Sequence, residues 1–194
     1  MISEVLDLYI TMLPLVLSGI VNMLFVRTKV YKRYKYPIDC NKNWIDGKRI
    51  FGENKTIIGF ISMIIFYGIF QVLWGLICND IGLNSRNDLY LIYENTVSFN
   101  FMVGLLFGFA YMIFELPNSF IKRRLDIAPG KTNTGIKGIF FIIDQIDSLI
   151  GVFIVLMVFN NMSFKRYMAY LIVGGFTHIF VNGILFCMKI RRNL

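Results

Sequence analysis

Five stretches of the chain, at residues 8–26, 57–78, 96–114, 138–159 and 167–188, are each about 20 predominantly apolar residues long. That is the length needed to cross a hydrocarbon core of about 30 Å as an α-helix. Lipid-exposed backbone must satisfy its own hydrogen bonds, so such segments are helices and not open sheets. The expected fold is therefore an all-α integral membrane protein of five transmembrane helices. The connecting segments are too short for a second folded unit, so residues 1–194 read as a single domain. The first stretch is expected to stay in the mature chain, because Glu4 and Asp7 precede it where a signal peptide would carry basic residues.

Charge gives the orientation. The net charge of +8 raises the question of nucleic acid, but the positions of the basic residues answer it. Seventeen of the twenty Lys and Arg lie in the segment between the first two spans, in the segment between the third and fourth, and in the C-terminal tail. The positive-inside rule then predicts an N-terminus outside, a C-terminus in the cytoplasm and two basic cytoplasmic loops. A plasma-membrane location follows, with no nucleic-acid partner; the bilayer is one partner, and the oligomeric state, a homodimer included, is left open. Three widely spaced cysteines, Cys40, Cys78 and Cys187, support neither a disulfide framework nor a zinc site.

Polar residues inside the spans point to chemistry. Asp144 and Asp147 lie within the fourth span and share a helix face at i,i+3. An aspartate at that depth costs on the order of 2.5–3.5 kcal/mol, so a cation must compensate the pair. One reading is a salt bridge to a neighbouring helix; the other, preferred, is Mg²⁺, which favours one or two carboxylates plus water and phosphate oxygens. Glu115 closes the third span ahead of Pro117, and a helix resuming past that proline puts Glu115, Ser119 and Lys122 on one face. An acid for metal and a base for phosphate would then stand together, against the alternative of a plain helix end with interfacial anchors.

Before the second span, Gly47, Lys48, Arg49, Gly52, Asn54, Lys55 and Thr56 form a glycine-bearing basic loop suited to cradling phosphate. It is not a Walker A loop, because Glu53 and Asn54 separate Gly52 from Lys55-Thr56. Ser18, Asn22, Asn100, His178 and Asn182 read as interhelical hydrogen-bonding groups. Gly104, Gly108, Gly174 and Gly175 read as helix-packing positions.

Taken in order, Asn22-Met23, Pro37-Ile38-Asp39, Asp46-Gly47-Lys48-Arg49, Phe51-Gly52-Glu53-Asn54-Lys55-Thr56, Ser119 with Lys122-Arg123-Arg124, Pro129-Gly130 and Asp144-Gln145-Ile146-Asp147-Ser148 resemble the CDP-archaeol synthase family, relatives of the phosphatidate cytidylyltransferases. The larger phosphatidate enzymes carry a Lys-Asp pair and a His-Gly-Gly run before the two aspartates. Residues 131–143 have neither, which favours the shorter archaeal-type branch. Phe114-Glu115 stands where that family usually has Gly-Asp, and Phe25 where proline is common. The resemblance implies a CTP-dependent, Mg²⁺-using cytidylyltransferase that converts a lipid phosphate, of archaetidic or phosphatidic acid type, to a CDP-lipid plus pyrophosphate. On that reading Asp144, Asp147 and Glu115 hold Mg²⁺. Lys122, Arg123 and Lys55 bind phosphates, and Asp39, Gly52, Asn54, Thr56 and Ser119 complete the nucleotide pocket. The alternatives are a lipid or polyprenol kinase, which would transfer the γ-phosphoryl group, and a small ion-coupled transporter, for which the basic loop has no evident use.

Overall fold

The computed structural model describes residues 2–128 and 137–190. Pro129, Gly130, Lys131, Arg191 and Arg192 of the sequence reading lie outside the described residues. Among those described, the helices are α1 (Ile2–Phe25), α2 (Lys29–Tyr34), α3 (Ile57–Asp80), α4 (Val97–Arg124), α5 (Lys137–Phe159) and α6 (Phe164–Cys187), with two 3₁₀ turns between α3 and α4. All but α2 are long and apolar enough to cross a membrane.

The helices outrun the apolar stretches that announced them. Hydropathy ends where side chains turn polar, whereas the backbone ladder continues until something replaces it. Thr56, Thr96 and Ser163 start α3, α4 and α6 by accepting hydrogen bonds from the N–H three residues on. α1 begins at Ile2, six residues before the expected span, and Arg86 Nε donates to Asp7 Oδ1 at 2.8 Å from the α3–α4 connection. α4 passes through Pro117 without breaking and ends at Arg124, so its last ten residues carry a polar face out of the apolar layer.

Packing at the centre is set by small residues. A Cβ on Gly104 would come within 2.8 Å of Gly68 Cα and 3.0 Å of the Tyr67 carbonyl oxygen, and one on Gly108 within 2.7 Å of Ile64 Cα. α3 and α4 therefore touch backbone to backbone, as membrane helices do where no hydrophobic effect drives them together. Met63, Tyr67, Phe107, Val152, Phe153 and Tyr170 fill the shared core. The intramembrane amides bond between elements as expected: Asn100 Oδ1 accepts from Tyr90 Oη at 2.7 Å, and Asn182 Nδ2 donates to Gln145 Oε1 at 2.9 Å. His178 Nδ1 lies 2.9 Å from the Gln145 carbonyl oxygen.

At one end of the bundle the α1–α3 connection folds against the end of α4. Isolated antiparallel bridges pair Pro37 with Thr56 and Asn43 with Arg49, and Gly47 turns the chain at φ +75°. Asp39 organises the inside of this loop, with its side chain fully buried. Its carboxylate accepts from Arg49 Nε at 3.0 Å, Arg49 Nη2 at 3.1 Å, Phe51 N–H at 3.1 Å and Asn41 N–H at 3.0 Å. Arg124 clamps the loop from α4: Nε donates to Asp46 Oδ2 at 2.7 Å and Nη2 to the Arg49 carbonyl at 2.8 Å, with the guanidinium 4.1 Å from the Phe120 ring centre.

Two expectations follow. Gly104→Leu should cost about 1–3 kcal/mol by overpacking a backbone contact that cannot yield, seen as a lower thermal midpoint in detergent. Gly183→Ala, whose added methyl meets nothing within 4 Å, should leave the midpoint no lower and raise it slightly, because alanine is the better helix former. For the loop, burial by itself raises the Asp39 carboxyl pKa, but the hydrogen bonds from Arg49, Phe51 and Asn41 outweigh it and hold the group below its ordinary range. Its contribution is thus present above the unfolded value of about 3.9 and is lost as pH falls through the lower folded value. Asp39→Asn should weaken the loop by on the order of 1.5–3 kcal/mol at neutral pH. Hydrogen exchange over residues 39–56 checks this, and the wild type should reach the same exchange only below about pH 4.

Candidate active site

The polar face at the end of α4 meets α5 directly below the loop. Glu115, Asn118, Ser119 and Lys122 recur at helical spacing and so project to one side. Lys122 Nζ lies 2.5 Å from both oxygens of Asp144. Asn118 Nδ2 donates to Asp144 Oδ1 and to Asp147 Oδ2, each at 2.7 Å, so a single amide bridges the two aspartates. Lys55, two residues ahead of α3, places Nζ 2.5 Å from Glu115 Oε2. Ser119 Oγ accepts from Gly52 N–H at 3.0 Å and ties the loop to the same face.

This arrangement answers how two aspartates survive in the span. Lys122 neutralises Asp144, as the salt-bridge reading expected. Asp147 has no cation at ion-pair distance among the described residues and relies on Asn118 and the Ser148 N–H at 2.7 Å. Burial alone would lower the Lys55 pKa, but the Glu115, Asp147 and Asp144 carboxylates raise it above the ordinary lysine value. Lys55 is thus firmly cationic and acts on all three acids.

Three polar atoms here are buried and have no hydrogen-bond partner: Asn118 Oδ1, Ser148 Oγ and Arg123 Nε. Buried polar groups are normally satisfied, so unpaired ones call for a partner such as water or an ion. Asn118 turns Nδ2 to both aspartates and so holds the Asp144 and Asp147 carboxylates together as a set of oxygen donors. That chemistry fits Mg²⁺ and not a thiolate- or imidazole-seeking ion. Among the described residues no three acids or His/Cys groups converge as a ready-made metal cluster, and Glu115 spends Oε2 on Lys55.

The structure thus gathers Gly52, Lys55, Glu115, Ser119, Lys122, Asp144 and Asp147. Asn54 lies on the loop turn, where a Cβ on Gly52 would come within 2.6 Å of its Oδ1. Asp39 and Thr56 are occupied within the fold: Asp39 holds Arg49, and Thr56 Oγ1 caps α3 and shares a 2.8 Å hydrogen bond with Tyr31 Oη. Lys48 and Arg49, expected to meet phosphate, pair with Asp126 and Asp39. Arg123 feels the like charges of Arg49 and Arg124 nearby. Sequence reasoning missed Asn118, although its place one turn before Lys122 and three residues after Glu115 put it on the face already singled out. It also missed Arg124, whose role depends on a loop fold that no local pattern encodes.

The chain has several relatives of known name. The sequence model described as CarS-like, CDP-archaeol synthase, matches residues 2–193. The CDP-archaeol synthase of Sulfurisphaera tokodaii is 26% identical over 156 residues, covering 80% of this chain and 79% of that protein. The CDP-archaeol synthase of Methanospirillum hungatei is 26% identical over 162 residues, covering 80% and 87%. A solved structure described as an intramembrane enzyme for archaeal membrane lipids biosynthesis superposes with a TM-score of 0.63 at 21% identity over 92% of this chain and 94% of that one, and so shares its fold. With a family match that runs nearly end to end over a five-span bundle, the chain belongs to the CDP-archaeol synthase family.

Proposed function

We propose that the α4–α5 cluster is the site at which this multi-pass membrane enzyme transfers the cytidylyl group of CTP to a lipid phosphate. The activity is that of the family; the observation supporting this location is the Asp144 and Asp147 carboxylate pair bridged by the Asn118 amide beneath a basic loop. A phosphate oxygen of the lipid attacks the α-phosphorus of CTP, the bond from that phosphorus to the β-phosphate bridging oxygen breaks, and pyrophosphate leaves with that electron pair. Such transfers depend on positioning anions and stabilising charge and need little covalent help from protein.

Each residue then has a task. Lys122 and Lys55 hold donors at the cluster and can exchange carboxylate partners for phosphate oxygens, a charge-assisted contact of the same kind. Arg123 brings an unpaired Nε, and Gly52 bonded to Ser119 fixes the loop over the site. Mg²⁺, held by Asp144 and Asp147 with Asn118 orienting their carboxylates, would supply charge neutralisation at the phosphates. Glu115 serves through Lys55. The whole chain acts as one catalytic unit in the plasma membrane, with the cluster facing the cytoplasm, a placement supported by the side on which basic residues accumulate.

Purified protein given CTP, Mg²⁺ and a panel of lipid phosphates should release pyrophosphate and form CDP-lipid. Transfer of the γ-phosphoryl group instead would indicate a kinase. Accessibility tags at Asn84 and Ile45 should report opposite compartments, with Ile45 cytoplasmic; a shared compartment would overturn the topology. Asp144→Asn and Asp147→Asn should each lower turnover per folded molecule by at least ~100-fold, on the order of 2.7 kcal/mol. Asn118→Ala should weaken the apparent Mg²⁺ affinity by about 10–100-fold, as loss of a ligand-orienting group does. Normal specific activity in both aspartate variants would remove the cluster from the chemistry.

A further inference from the structure

Between α1 and α6 runs a groove with a cavity volume of about 70 Å³, bounded by Leu15, Gly19 and Met23 of α1, Gly174 and Val181 of α6, and Leu149 of α5. Every one of these residues lies in a spanning helix, so what enters comes from the hydrocarbon layer. The polar groups along its edge are already used: Asn182 Nδ2 donates to Gln145 Oε1 at 2.9 Å, Thr177 Oγ1 to the Val173 carbonyl at 2.8 Å, His178 Nδ1 lies 2.9 Å from the Gln145 carbonyl oxygen, and Tyr111 has a partner too. An apolar occupant is therefore the one the lining accepts without leaving polar groups unpaired.

Gly19 is the groove-lining glycine that packing does not explain; Gly138 and Gly183 are also open to added bulk but do not line the groove. Gly104 and Gly108 each admit a neighbouring backbone, and Gly174 is backed by Phe153 and Leu149 at 3.1–3.3 Å, but a Cβ on Gly19 meets nothing within 4 Å. A glycine inside a helix is destabilising relative to alanine unless something needs the space. Here the space is the groove.

Its position matches the cluster. The groove follows α1 from Met12 to Met23, about 16 Å at 1.5 Å per residue, or about half the hydrocarbon thickness. It lies in the half of the bundle where α1 runs into the basic loop, and Leu149 is on α5 five residues beyond Asp144. A chain seated there has its headgroup end on the side of Asp144 and Asp147.

We propose that this groove seats one hydrocarbon chain of the lipid phosphate and that Gly19 sets the girth of the chain accepted. The proposal rests on the cytidylyltransferase reading above. The test uses the full-length protein in nanodiscs, wild type and Gly19→Leu, with two photoreactive lipids carrying a diazirine mid-chain: a phosphatidic acid and a phosphatidylcholine. The phosphatidic acid probe should label residues 15–23 of α1 or 174–185 of α6 in preference to the choline probe, and Gly19→Leu should reduce that labelling about tenfold. In steady-state assays the same variant should raise KM for a long-chain lipid phosphate about tenfold and leave KM for CTP and the turnover of a short-chain lipid phosphate unchanged.

Labelling confined to other helices, equal labelling by both probes, or an unchanged lipid KM in folded Gly19→Leu would overturn the proposal. Equal labelling would identify the occupant as bulk membrane lipid. If the leucine variant fails to fold, Gly19→Ala, which adds one methyl to open space, provides the same comparison at smaller amplitude. Labelling as expected in a wild type that forms no CDP-lipid would refute the cytidylyltransferase reading and leave the groove standing.

Discussion

The bundle is organised around the problem of holding carboxylates in a medium that does not solvate them. Asp144 and Asp147 sit three residues apart on α5, where repulsion and desolvation act together. Their compensation comes from one face of α4, through Lys122 and the Asn118 amide. That requirement fixes the register of α4 against α5, because a shift of one residue would turn Asn118 and Lys122 about 100° away from the acids. The tight glycine contacts between α3 and α4 then carry the constraint to the rest of the molecule. Gly104 and Gly108 allow no sliding where backbone meets backbone.

The polar extension of α4 also governs the loop. From one helix end, Arg124 reaches Asp46 and two loop carbonyls, Lys48 returns to Asp126 and the Arg124 carbonyl, and Ser119 takes the Gly52 N–H. Inside the loop, Asp39 does for Arg49 and the Phe51 N–H what α4 does for the exterior. The basic residues thus divide into two groups. Lys48, Arg49 and Arg124 hold the loop's shape, while Lys55 and Lys122 rest on the acids of α4 and α5 and Arg123 Nε is left unpaired.

That division marks what could be read from the sequence. The five spans were legible because apolar length is a local property and lipid leaves a helix as the solution. The charged face of α4 was legible too, since Glu115, Ser119 and Lys122 already stood at helical spacing. Thr56 and Asp39 look like phosphate and nucleotide contacts in one dimension, yet Thr56 caps α3 and Asp39 closes the loop. A hydroxyl or carboxylate in a loop chooses among partners that only the folded chain supplies. Asn118 escaped notice for a related reason: an uncharged amide carries no signal until two acids converge on it from another helix. Charge pairing was underdetermined in the same way, because Lys122 could be assigned to phosphate from its position but its carboxylate partner could not.

The interleaving of acids and bases at the site follows from the same low dielectric. Glu115, Asp144 and Asp147 face Lys55 and Lys122, three negative charges against two positive, within a region half withdrawn from water. A site built from lysines alone would attract phosphate strongly but would be costly to keep unpaired between turnovers. A site of carboxylates alone would repel it. With each lysine resting on an acid, the ammonium groups stay oriented and compensated, and an arriving phosphate replaces one anion with another. On the function proposed above, the excess carboxylate would match the demand of a divalent cation accompanying a triphosphate. On that proposal, the composition of the cluster suits a membrane-embedded surface that must hold polyanions without retaining them.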